Sequence, residues 1–98
     1  MSYPDFVEAK DVRFFEVKAI RDEESLHLHI AGLVFHSALA VERVEIRNDG
    51  PNAWVMVKLT PAAKGLSGKF KVDVPMRLPE ETVLFGPTKV KIWPINPR

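Results

Sequence analysis

The 98-residue chain predicts an all-β fold, a single antiparallel β-sandwich of about seven short strands. Apolar residues recur at every second position in segment after segment, the period at which strand side chains alternate between faces. Turn residues punctuate those segments at roughly 8–12-residue intervals, the spacing of an all-β domain. No amphipathic stretch of helix length separates them, which excludes βαβ units and a parallel sheet. A small OB-like barrel is the alternative way to close the same strands.

Residues 12–20 open the pattern, with Phe15, Val17 and Ala19 on one side and Phe14, Glu16 and Lys18 on the other. The run Arg21-Asp22-Glu23-Glu24 makes a solvated turn. In residues 25–35, Leu26, Leu28 and Ile30 alternate with His27 and His29 until Gly32, which predicts a bulge or bend. Residues 37–43 fit either helix or strand: Ser37 suits a helix N-cap, yet Val44-Glu45-Ile46-Arg47 alternates strictly. The turn signal Asn48-Asp49-Gly50-Pro51-Asn52 predicts a hairpin with arms 41–47 and 53–59. On its second arm Val55, Val57 and Leu59 oppose Trp54, Met56 and Lys58.

Residues 60–65 read as one helical turn, capped by Thr60, started by Pro61 and ended by Gly65. Residues 69–74 alternate again, with Phe70, Val72 and Val74 inward. Pro75 and Pro79 are expected to bracket a loop. Residues 82–85 and 89–93, split by Gly86-Pro87, complete the strands.

Composition bounds the function classes. One domain spans residues 1–98, with 46% apolar and 28% charged residues, a globular balance. Zero cysteines exclude a disulfide scaffold, thiolate metal sites and thiol catalysis. The net charge of +1 hides an uneven distribution. Residues 1–50 hold six basic and ten acidic groups, a net of −4, and residues 51–98 hold eight and three, a net of +5. No apolar run is long enough to span a bilayer. The N-terminus carries no secretory pattern, which predicts a cytoplasmic protein unless a leader has been removed ahead of Met1.

Candidate chemistry is sparse. His27-Leu28-His29 places two imidazoles on one strand face, a spacing that can share a metal. His36 could add a third nitrogen if a bulge at Gly32 corrected its parity, and Glu42 or Glu45 an oxygen. Outward-facing polar residues on a half-exposed sheet explain the same spacing. Gly65-Leu66-Ser67-Gly68 lacks the second glycine of a nucleophile elbow, and a strand follows it instead of a helix. Ser25, Ser37 and Ser67 have no supporting triad motif, and Gly65 to Lys69 lacks P-loop spacing. Neither an enzyme nor a cofactor is expected.

A basic and aromatic face is the remaining feature. Trp54 shares parity with Lys58, Trp93 with Lys89 and Lys91, and Lys69 and Lys71 alternate outward on their own strand. Indoles among ammonium groups suit base stacking with phosphate neutralisation, or an acidic protein patch. Tryptophans that plug a sandwich end produce the same parity.

In length, strand number and lack of helix the chain resembles immunoglobulin-like and fibronectin-type sandwiches over nearly its whole extent. Their Cys-Trp-Cys framework is absent, and Tyr3, the single tyrosine, lies near the N-terminus and away from the tyrosine corner. The resemblance implies architecture and no function. The expected role is a non-catalytic interaction module whose partner is a protein, self-association included. Nucleic-acid binding through Trp54, Trp93 and the lysines stands second, and a surface metal site at His27, His29 and His36 third.

Overall fold

The computed structural model describes residues 5–23, 25–35, 38–76 and 81–94. Its strands are β1 (Val12–Arg21), β2 (Leu26–Val34), β3 (Leu39–Asp49), β4 (Asn52–Pro61), β5 (Lys69–Met76), β6 (Val83–Phe85) and β7 (Val90–Trp93). They form two open sheets, β1-β2-β5 and β3-β4-β6-β7, so the chain is an all-β sandwich and not a barrel. A 3-10 turn at Ala9–Asp11 is the sole helical element among the described residues.

Every paired strand runs antiparallel to its neighbour except β6, which lies parallel to β4. The chain leaves β4 for β5 in the other sheet and returns for β6; two reversals restore the direction of β4. Immunoglobulin constant domains place their third strand with the sixth and seventh and their fourth strand in the opposite sheet. Here β4 stands between β3 and β6, so the likeness extends to two facing sheets and not to strand order.

Apolar alternation builds the core directly. Leu28, Ile30 and Val34 from β2, Val55, Val57 and Leu59 from β4, and Phe70, Val74 and Met76 from β5 are all buried. Phe85 is 0% exposed at the centre, edge-on to Phe15 at 5.0 Å and beside Phe70 at 6.0 Å. No polar or charged residue is buried among those described. The β3–β4 hairpin closes through Gly50 and Pro51, with Gly50 at φ 63°, as a two-residue turn with glycine first requires. Beside β4, the N-terminal segment continues where β6 stops: Val7 N–H donates to Val57 and Leu59 N–H to Asp5.

Four local expectations need correction. The ambiguous stretch 37–43 is strand from Leu39 onward, since β3 begins there and pairs with β4 down to Pro61; Ser37 lies outside the described residues. Thr60 and Pro61 therefore belong to β4 and make no helical turn, although Gly65 does adopt a left-handed φ of 89°. Pro75 lies inside β5, which tolerates it because β5 is an edge strand whose outer N–H groups have no ladder partner; Pro79 lies outside the described residues. The irregularity expected at Gly32 sits across from it, in β1 between Arg13 and Glu16, while β2 and β5 stay in register. Gly32 instead admits its neighbours: an added Cβ would lie 2.4 Å from Val12 Cγ1 and 3.0 Å from the Phe70 ring.

Candidate interaction face

The seven residues read as one basic and aromatic face are divided by the fold. Trp54 and Lys58 project outward from β4, and Lys91 is paired with Leu84 on the same outer side of the four-stranded sheet. Lys69 and Lys71 project from β5, on the opposite surface of the sandwich. Trp93 pairs with Val83, which is 0% exposed, and packs against the core. A register shift between Val83 and Leu84 breaks the parity that had placed Trp93 with Lys91.

The charge halves are also interleaved. Sheet β1-β2-β5 joins acidic-half strands to a basic-half strand, and β3 carries acidic-half residues into the other sheet. Ion pairs cross between the halves: Lys58 to Asp5 at 3.7 Å and Lys89 to Asp49 at 3.5 Å.

On the four-stranded sheet the aromatic groups are covered. Trp54 Nε1 donates to the Gly86 carbonyl at 2.7 Å, which spends its only donor. Lys89 Nζ stands 4.8 Å and Arg47 Cζ 5.6 Å from the Trp54 ring centroid. Arg47 also lies 5.2 Å and Lys58 5.1 Å from the Phe6 ring. Glu45 accepts hydrogen bonds from both Arg43 and Arg47. The Arg47 hydrogen bond, ahead of the Arg43 contribution and against partial desolvation, holds the Glu45 carboxyl below its ordinary value of 4.5. Met56 stands between Trp54 and Lys58 under this network and is only 3% exposed, despite its outward position.

The three-stranded sheet is barer: its ion pairs among the described residues are Lys18 to Glu16 at 4.0 Å and His29 to Asp73. Its outward residues form four rows across β1, β2 and β5: Arg13–Leu33–Lys69, Glu16–Ala31–Lys71, Lys18–His29–Asp73 and Ile20–His27–Pro75. At the irregularity in β1, Phe14 is 86% exposed and adopts φ 53°. A bulky side chain seldom occupies this left-handed region, because its Cβ crowds the following carbonyl. Phe14 lines an open hollow with Ala31, Gly32, Leu33 and Phe70, bordered by Lys69 and Lys71. Phe35, 77% exposed, lies just past the end of β2.

The histidines belong to this face. His27 and His29 are half-buried on its central strand, as their spacing required. His29 Nδ1–H donates to Asp73 at 2.8 Å, since a carboxylate offers only acceptors. Across from His27 stand Ile20 and Pro75, neither of them a ligand. Among the described residues no group of three or more His, Asp or Glu gathers as a metal site, and His36 lies outside them. Ser67 Oγ accepts from Lys69 N–H at 3.3 Å, a turn contact. No helix among the described residues is long and apolar enough to cross a membrane.

Sequence reasoning passed over Phe14, Leu33 and Arg13 as site residues. The signal was in the parity, which sets Phe14 on the side of Glu16 and Lys18 while Phe15 turns inward. No family model, no curated protein and no solved structure matches the chain.

Proposed function

We propose that the protein is a non-catalytic interaction module that docks a protein partner on the outer face of its three-stranded sheet. The observation that carries this proposal is Phe14, a large apolar ring held in the solvent by a left-handed backbone. A left-handed phenylalanine costs about 1–2 kcal/mol, and solvent exposure of the ring offsets none of it in the isolated chain. Backbone strain of this kind collects at functional positions. The ring borders an apolar hollow rimmed by cations, the composition of a small interface with an apolar centre and polar edge. The opposite surface has already satisfied its aromatic rings and most of its charges internally. That leaves it less to offer a polyanion.

Capture from a lysate of the source cells tests the role. The intact protein is expected to retain specific partners that Phe14→Ser loses and Lys91→Glu, on the opposite surface, keeps. Equal capture by all three proteins contradicts it.

A further inference from the structure

We infer that the partner seated on this face is a second copy of the same chain. This rests on the proposed docking role of the face and adds the identity of the occupant.

The charge pattern carries the inference. In the row Glu16–Ala31–Lys71 the negative group stands on β1 and the positive on β5. In the next row, Lys18–His29–Asp73, the signs are reversed. Two such rows make a quadrupole, and a quadrupole of this form is complementary to its own two-fold image. An isologous contact is self-complementary by symmetry, so each favourable pairing occurs twice.

Two directions of the two-fold axis bring opposite charges together in these rows, and the outer rows choose between them. An axis along the strands would set Arg13 of one copy against Lys69 of the other, which repels. An axis across the strands, between the two charged rows, sets Glu16 against Lys18 of the second copy and Lys71 against its Asp73. It also lays the row of Arg13, Leu33 and Lys69, with Phe14 beside it, over Ile20, His27 and Pro75. Arg13 then lies over Ile20, Leu33 over His27 and Lys69 over Pro75, so no two like charges oppose. The face-to-face strands of the two copies run antiparallel.

The footprint sets the strength. Four rows at about 6.6 Å and three strands at about 4.8 Å cover roughly 400 Å² on each copy. Stable complexes bury about 800 Å² per partner. The association is therefore weak and reversible, and it appears only at high protein concentration.

Charge reversal in two different variants provides the test. Lys71→Glu sets a carboxylate against Asp73 of its twin, and Asp73→Lys sets an ammonium group against Lys71. Each variant alone is expected to lose self-association by at least about 10-fold relative to the native chain. An equimolar mixture restores opposite charges across the contact in a heterodimer and is expected to recover most of the native association. Sedimentation equilibrium up to about 1 mM reads the native chain, each variant and the mixture. Circular dichroism shows whether each variant keeps the native strand signal, and the native chain is an independent reading if one does not. A native chain that stays monomeric over the whole range overturns the second-copy inference while leaving Phe14-dependent capture of another protein intact. Association that survives both single reversals, or is not recovered on mixing, also overturns it.

Discussion

The two outer surfaces of the sandwich are built from similar residues and end in opposite states. Each presents an aromatic ring among cations on a β-sheet. On the four-stranded sheet, Trp54 is hydrogen-bonded, and Lys89 and Arg47 lie against its ring. Those cations are paired in turn with Asp49 and Glu45. On the three-stranded sheet, Phe14 stands clear of the surface, and Arg13, Lys69 and Lys71 have no ion pair among the described residues. Aromatic residues and lysines in a sequence therefore do not by themselves mark a binding face. What separates the two surfaces is whether the chain has already supplied partners for the aromatic ring and the cations around it.

Substitutions in each surface should break this contrast in opposite directions. Trp54→Ala removes a half-buried indole, its hydrogen bond and its cation contacts. A loss of about 3 kcal/mol is expected in urea unfolding, with self-association unchanged among the molecules that remain folded. Gly32→Ala acts beneath the bare face by pushing a methyl group into Val12 and Phe70. The expected cost is about 1–3 kcal/mol, read from the urea midpoint at constant slope. Phe14→Gly relieves the left-handed backbone while adding chain entropy to the unfolded state. Stability should hold within about 1 kcal/mol, tending toward stabilisation, whereas association falls.

Glu45→Gln should have the smallest effect. The folded-state pKa of Glu45 lies below 4.5, so its contribution is fully present above that pH and fades as pH falls through the lower folded value. The Gln variant should show a flatter loss of stability on acidification below pH 4.5, with little change in association. An acid limb as steep as that of the native chain would remove Glu45 from the account.

Much of the fold was legible because alternation reports directly which residues turn inward. Phe70, Val72 and Val74, and Val55, Val57 and Leu59, all lie on the core-facing sides expected of them. Alternation fails where one residue is added or skipped. The shift between Val83 and Leu84 turned Trp93 inward, and the one between Arg13 and Glu16 turned Arg13 outward and Val12 inward. Nor does a one-dimensional charge count specify which strands become neighbours. The split of −4 and +5 was real, but sheet order placed Asp5 by Lys58 and Asp49 by Lys89. The quadrupole on the bare face was unreadable for the same reason: it requires the registers of β1, β2 and β5 together.

The central claim is that the outer face of the three-stranded sheet is the surface that docks. The most direct measurement is a dilution series of amide NMR spectra on the intact chain, from about 1 mM to about 10 μM. Concentration-dependent shifts confined to residues 13–20, 27–33 and 69–75, with positions 43–47, 54–58 and 89–91 unmoved, are the expected result. Shifts centred on the Trp54 surface, or spectra identical across the series, would contradict self-docking through this face.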